Sequence, residues 1–409
     1  MRWTREFDLV LLATTAMTMV FGITMIYSAA SASSVWRDQA MFSIGALLLA
    51  AAIVYVPDKV FYDLAYPLYI FGLLLLLAVL IWGTGEPARW LSLSPGNRLR
   101  LQPSEFAKIT TIMALARYLG DQGSEAVGRP RTISASLVLT LVPLVLVMQQ
   151  PDLGTAVSFG AALLPMLYWA GMRPLHIFFL LSPLLSVVFS FEPLWQNQAP
   201  IVFALFIIVS SVIIHLLLTR LWLTATLLAV NLGAGLVTTY LWSNLLRGYQ
   251  KARIMTFLDP ESEPLGAGWN IIQSKIAIGS GGPTGQGFLQ GTQTNYEFLP
   301  AAHTDFIFSV IGEELGFLGA VFVLALFLFL IWRSLYIGAM ANSRYHSLLA
   351  IGLGSLLTFH VFVNVGMTIG VIPVTGLPLP FLSYGGSSLL TNCISIGLLL
   401  NIYAHRHEY

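Results

Sequence analysis

Twelve apolar runs partition the sequence, and most hold the roughly 20 residues that a helix needs to cross the hydrocarbon of a bilayer. They lie near residues 8–29, 39–56, 62–82, 103–119, 132–149, 153–171, 174–191, 199–218, 221–241, 306–332, 347–370 and 383–403. Only helices and closed barrels cross lipid, because no water is there to satisfy a free backbone N–H or C=O. The runs lack the two-residue alternation of barrel strands. The expectation is an all-α, polytopic membrane protein of about twelve helices. Composition agrees. Of 409 residues 56% are hydrophobic and only 10% charged, against about 25% charged in a soluble domain. That excludes a soluble enzyme, a disordered chain and a nucleic-acid binder. The formal net charge of +1 supplies no bulk field toward an anionic partner, and the single cysteine, Cys393, allows no internal disulfide.

Arg2 and Arg5 precede the first run, and Ser28–Ala32 resembles a cleavage site. The run is longer than the roughly 7–15 apolar residues of a signal peptide, so an uncleaved first helix is expected. Basic residues in short loops set orientation. With a cytoplasmic N-terminus, the inner side carries Arg2, Arg5, Lys59, Arg117, Arg129, Arg131, Arg173, Arg220, Arg333, Arg344 and Arg406, and among the short outer loops only Arg37 counts. An even number of helices returns the C-terminus to the cytoplasm. Two long outer segments then remain, about 83–108 and 242–305.

Charged side chains in a span cost roughly 2.5–3.5 kcal/mol or more at the bilayer centre, so each needs a reason. The fourth run opens with Gln102, Pro103, Glu105, Lys108 and Thr111, in which Gln102, Glu105, Lys108 and Thr111 recur every three residues on one face. Glu105 and Lys108 can pair. They read either as an interfacial ion pair that fixes helix depth or as the polar wall of an outward-facing cavity. Asp152 opens the sixth run, where a carboxylate caps free N–H groups; a substrate or metal role is the alternative.

The segment 242–305 is too long for an ordinary connection. It carries Arg247, Lys251 and Arg253, then a stretch from Gly266 to Gly282 that suits a short helix on the membrane and contains Lys275. The glycines after that helix read as backbone approaching a ligand or as a flexible hairpin. The basic residues suit anionic headgroups or a substrate diphosphate. The segment ends on His303, Thr304 and Asp305, at the same expected membrane depth as Glu105, Lys108 and Asp152, so one common cavity is open to them. Glu313 and Glu314 lie deeper and read as structural. The last outer connection, 372–388, has three prolines and several glycines around Ser383 and Tyr384. Irregular backbone at that depth must be buried or line a wet cavity. No HExxH, paired CxxC, Walker loop or nucleotide fingerprint occurs.

The runs QPSEFAK (102–108), QPDLGTA (150–156), FLDPESEPLGAGWNIIQSKIAIGSGG (257–282), FLPAAHTDFIFSVIGEELG (298–316) and PLPFLSYGGSS (378–388) resemble the SEDS family of shape, elongation, division and sporulation proteins, in the family's order. The wording of IIQSKIAIGSGG, GTQ and HTDFIF is similar to its rod-shape branch rather than its division branch. The resemblance covers nearly the whole chain. It implies a peptidoglycan glycosyltransferase of the cytoplasmic (inner) membrane that polymerises lipid II on the outer face, working with a class B penicillin-binding protein transpeptidase and other elongation-complex membrane proteins. It implies an essential acid at Asp305 and functional roles for Glu105 and Lys108. Gln102, Asp152, His303, Thr304, Lys275, Arg253, Ser383 and Tyr384 are the further candidates for substrate binding.

A single membrane domain, 1–409, is expected, with 242–305 as its large outer loop. The family usually has ten spans, so 199–241 reads as an extra helix pair. Asp305 is expected to act as general base toward an acceptor sugar hydroxyl in an inverting reaction. Lys108, Arg247, Lys251, Arg253 or a divalent cation, Mg or Mn, would meet the charge of the departing diphosphate. The sequence requires no cofactor. A lipid II flippase is the main rival reading, and a scaffold that recruits wall enzymes is a third.

Overall fold

The structure is a computed structural model. It describes residues 7–31, 33–84, 89–92, 100–150, 152–218, 221–245, 248–262, 264, 266, 268–296 and 298–407. The chain groups into two compact units, Met1–Gly171 with Gln273–Tyr409, and Met172–Ile272.

The first unit starts with α1 (Leu9–Ala29), α2 (Val35–Val54) and α3 (Asp58–Trp82). A two-residue antiparallel ladder follows, β1 (Leu91–Ser92) with β2 (Arg100–Leu101). Then come α4 (Pro103–Asp121), α5 (Pro130–Met148), α6 (Leu153–Ala161) and α7 (Leu163–Trp169). The second unit holds α8 (Pro174–Ser190), α9 (Glu192–Trp195), α10 (Ala199–Leu218), α11 (Leu221–Tyr240) and α12 (Gly248–Leu258). The first unit resumes within α13 (Trp269–Ser280) and finishes with α14 (Thr292–Asn295), α15 (Ile307–Glu314), α16 (Gly316–Met340), α17 (Arg344–Thr368) and α18 (Gly386–Ala404). Proline opens α4, α5 and α8, where its missing N–H is no loss.

Among the described residues, nine helices are long and apolar enough to cross a membrane. The other three apolar runs are also helical, but α6–α7 and α8 are shorter and α4 is more polar. In the first unit α4 packs on α3, α5 and α17, and α18 packs on α2. Both α17 and α18 are mostly buried, so they form the unit's centre. In the second unit α8, α10 and α11 pack on one another. The ring of Phe203 on α10 lies where a Cβ at Gly235 on α11 would sit, which lets those two helices approach closely.

Two apolar runs differ from their expected continuous form. The run 153–171 is interrupted at Ala162, between α6 and α7. The run 306–332 is broken at Leu315, and Gly316 takes a left-handed φ of +65°. The cause of the second break is the glycine-rich stretch after α13. Helix ends leave backbone groups without partners, and this stretch supplies them. Gln286 and Gly287 donate their N–H groups to Glu313 O at 2.9 Å and Glu314 O at 3.0 Å, while Phe317 and Leu318 donate to Gly282 O at 2.8 Å and Pro283 O at 3.1 Å. A Cβ at Gly281 would clash with Gly312 O, and one at Gly285 with Glu314 O. Gly281 and Gly285 thus admit protein backbone, whereas a Cβ at Gly279 or Gly282 would meet nothing within 4 Å.

Glu313 and Glu314 are buried at the same break. The Glu313 carboxylate accepts from Thr292 Oγ1, Gln293 N–H and Thr294 Oγ1, and Glu314 Oε1 accepts from Ser28 Oγ on α1. Gly285→Ala is expected to destabilise the protein by at least about 1–3 kcal/mol, the usual range for overpacking. Its φ of +83° adds strain that an L side chain cannot relieve. A lowered thermal midpoint in detergent checks this; an unchanged midpoint contradicts it.

Candidate active site

Glu105 and Lys108 stand one turn apart on α4, and their side chains pair at 2.8 Å. Lys108 Nζ also lies 3.1 Å from His360 Nε2 on α17. An ammonium has no lone pair to offer, so a hydrogen bond from it requires Nε2 as the acceptor. Glu105 is 2% exposed and Lys108 1%. The pair is buried among helices and faces no open space in this structure.

Asp152 caps α6, its Oδ1 accepting from Thr155 N–H at 3.2 Å. Its Oδ2 lies 3.4 Å from Gln102 Nε2 and 3.6 Å from Arg89 Nη1. Gln102 also donates its backbone N–H to Ser387 Oγ at the start of α18, at 3.2 Å. The start of α6 packs against the proline-rich connection, where a Cβ at Gly154 would meet Thr375 O at 2.6 Å.

His303, Thr304 and Asp305 form the turn before α15, and all three are half-buried. The proline-rich connection holds this turn by its backbone. Ser383 Oγ donates to Thr304 O, and Tyr384 N–H donates to His303 O at 2.9 Å. Ser383 Oγ in turn accepts Leu379 N–H at 2.8 Å. Gln39 on α2 supports the connection from outside, donating to Ser383 O at 3.2 Å and accepting from Gly385 N–H at 3.3 Å. The His303 and Tyr384 rings lie 6.0 Å apart. Protein groups thus engage this irregular backbone at several points, in keeping with its burial.

Asp305 itself is tied through its carbonyl, which accepts from Asn364 Nδ2 on α17 at 3.0 Å. Its carboxylate accepts no hydrogen bond from any described residue. Oδ2 lies 3.6 Å from where a Cβ on Gly376 would be, and Gly376 holds a left-handed φ of +72°. Burial pushes the Asp305 carboxyl above its ordinary value, the positive charge of Arg89 pulls it down, and the negative charge of Asp152 pushes it up. Burial also lowers His303 and raises Tyr384, the latter helped by Asp38.

The structure therefore gathers Asp305, Asp152, Arg89, Gln102, His303, Thr304, Ser383 and Tyr384 around one end of the first unit. Lys275 is exposed on α13, and no hydrogen bond or ion pair joins it to Asp305. Lys251 belongs to the second unit, where its ammonium lies 5.5 Å from the Trp242 ring. Arg253 is on α12, but its side chain lies outside the described residues, as does Arg247. Among the described residues no group of three or more His, Cys, Asp or Glu side chains is placed to hold a metal ion. Sequence reasoning missed Arg89, His360 and Asn364. For the last two a signal existed: two polar residues four apart within an apolar run, on one helical face.

A model of the FtsW, RodA and SpoVE family of cell cycle proteins matches residues 7–206 and 187–408. The chain belongs to the SEDS family. Among its SEDS relatives, the peptidoglycan glycosyltransferase MrdB of Escherichia coli K12 is 36% identical over 393 residues, 95% of this chain and 91% of MrdB. The peptidoglycan glycosyltransferase RodA of Treponema pallidum is 36% identical over 437 residues, 99% of each chain. A chain from a peptidoglycan synthase complex, solved for its structural coordination of polymerization and crosslinking, matches with a TM-score of 0.73 at 29% identity, over 98% of this chain and 99% of that one. RodA of Thermus thermophilus matches with a TM-score of 0.63 at 26% identity, over 98% of both. The all-α membrane fold of this SEDS protein is thus shared with solved RodA.

Proposed function

We propose that this SEDS protein is a peptidoglycan glycosyltransferase that polymerises lipid II on the outer face of the cytoplasmic membrane, with Asp305 as its general base. The MrdB and RodA relatives carry that activity in their names, which disfavours the flippase reading. The observation that carries the proposal is an aspartate whose carboxylate accepts no hydrogen bond from the described residues, raised by burial and flanked by Arg89 and Asp152. An alcohol is a poor nucleophile until a base takes its proton in the transition state. Asp305 accepts the proton of the acceptor sugar hydroxyl as that oxygen bonds to the anomeric carbon of the donor. The bond from that carbon to the lipid diphosphate breaks on the opposite side, with inversion. Diphosphate leaves without a strong general acid.

Arg89 stands where it can meet the departing charge, and Gln102 with Arg89 keeps Asp152 in place. Lys108 is too enclosed for that task in this structure. A divalent ion, Mg or Mn, bound with the substrate would add positive charge toward the diphosphate. The site faces outward when both termini are cytoplasmic, as the distribution of Lys and Arg indicates. A class B penicillin-binding protein is the crosslinking partner, in keeping with the synthase complex that shares this fold.

Purified protein, alone and with its partner, is tested for glycan strands made from lipid II. Strands form in the enzyme reading; lipid II movement without strands supports the transporter, and neither supports a scaffold. The rate also has an acid limb. The base works only when ionised, so activity falls as pH drops through the Asp305 pKa. Because that pKa is raised, the limb lies above the ordinary aspartate value of about 3.9. A limb at or below that value refutes the assignment.

A further inference from the structure

Helix α17 reaches both polar centres of the first unit. His360 accepts from Lys108, and Asn364, one turn further on, reaches the chain just before α15. Asn364 is fully buried. Its Nδ2 donates twice, to Asp305 O at 3.0 Å and to Leu377 O at 2.8 Å. These carbonyls belong to segments far apart in sequence, the turn that carries Asp305 and the proline-rich connection before α18. Gly376, whose left-handed backbone faces Asp305 Oδ2, is the neighbour of Leu377. One carboxamide therefore holds the backbone of the base and the backbone of the wall its carboxylate faces.

The chemistry of the clasp is specific. Two converging carbonyls need two N–H donors from one side chain, and an amide nitrogen supplies both. The Asn364 Oδ1 is buried without a partner, and an apolar residue of the same size would remove that orphan only by stranding the two carbonyls instead. The other ties between the two segments, Ser383 to Thr304 O and Tyr384 to His303 O, stop one residue short of Asp305. The tie at Asp305 itself comes from Asn364.

We infer that Asn364 is a positioning residue for catalysis, its carboxamide setting Asp305 and the Gly376–Leu377 wall in one geometry for proton transfer. The inference rests on the reading of Asp305 as the base. Misplacing a reacting group by about 1 Å costs on the order of 10²-fold in rate, so a smaller shift of the turn on loss of the clasp suffices for a tenfold fall.

The test uses the full chain with its partner and lipid II as substrate. Asn364→Leu keeps the volume and removes both donors, and Asn364→Ala removes volume as well. Both are expected to lower kcat at least tenfold while KM stays within about twofold, with monodisperse elution and partner binding retained. The acid limb of the pH–rate profile should move to lower pH in both, because a loosened carboxylate gains water. Wild-type kcat, or a loss confined to KM, overturns the inference. Failure of both variants to fold overturns it too, since the residue then serves folding. Asp305→Asn run beside them separates the two claims. If Asp305→Asn is inactive while the Asn364 variants turn over normally, only the positioning role falls. If Asp305→Asn stays active, the base assignment falls and takes the positioning role with it.

Discussion

Asp305→Asn is expected to slow glycan polymerisation from purified lipid II by at least about 10²–10⁴-fold, the usual contribution of a positioned base. The substitution is a narrow one. Asparagine has the same shape, and the Asn364 clasp grips the carbonyl of residue 305, which the change leaves alone. No described residue donates to the carboxylate, so no structural hydrogen bond is lost. Folding should not suffer, and the sign can be worked out. Burial raises the Asp305 pKa, so at neutral pH the folded state bears a penalty for keeping the group ionised that the unfolded chain does not. An uncharged amide removes that penalty. The thermal midpoint should therefore stay level or rise as activity disappears, the pattern of a residue kept for function at some loss of stability. Full polymerase activity in the folded variant would remove Asp305 from the mechanism.

The second large effect concerns the buried pair on α4. Glu105→Ala leaves the Lys108 ammonium with His360 as its remaining partner in a dry helix core. Breaking one side of a buried ion pair costs about 3–5 kcal/mol, a large fraction of the roughly 5–15 kcal/mol by which proteins are stable. The expected result is a steep fall in thermal midpoint or failure to accumulate in the membrane. Replacing both residues by apolar ones of similar volume, Glu105→Leu with Lys108→Met, should recover most of the loss, because neither charge is then stranded. The double variant also decides the pair's role. If it folds and polymerises, the pair is structural. If it folds and is inactive, the pair acts on substrate in a conformation more open than this one.

How far the site could be read from sequence depended on the kind of interaction. Asp305 and Asp152 were legible because a carboxylate beside an apolar helix is conspicuous. The capping role of Asp152 followed from its place before α6. Lys108 and Glu105 were legible as a pair because three-residue spacing puts them on one helical face. The burial of that pair was not, since it depends on α17 packing across α4. Lys275 looked equivalent to the other basic candidates, yet it faces away from the buried side of α13, where Ser274 meets Ser309 and Thr368 O. Arg89 had no distinguishing signal in a loop that also carries other arginines. The break at Leu315 was marked in sequence only by Glu313, Glu314 and Gly316 around it, and no local pattern names the glycine-rich stretch that satisfies the broken ends.

The sequence by itself determined the class of fold. Lipid offers a backbone no hydrogen-bond partners, so a run of apolar residues of sufficient length must be helical wherever it sits. That constraint is local and needs no knowledge of neighbours. The choice of partners was left to tertiary structure. A buried polar group must find a complement, but chemistry alone accepts any donor or acceptor at the right depth. Packing selected His360 for Lys108, Asn364 for Asp305, Arg89 and Gln102 for Asp152, and a glycine-rich turn for the open ends of α15 and α16.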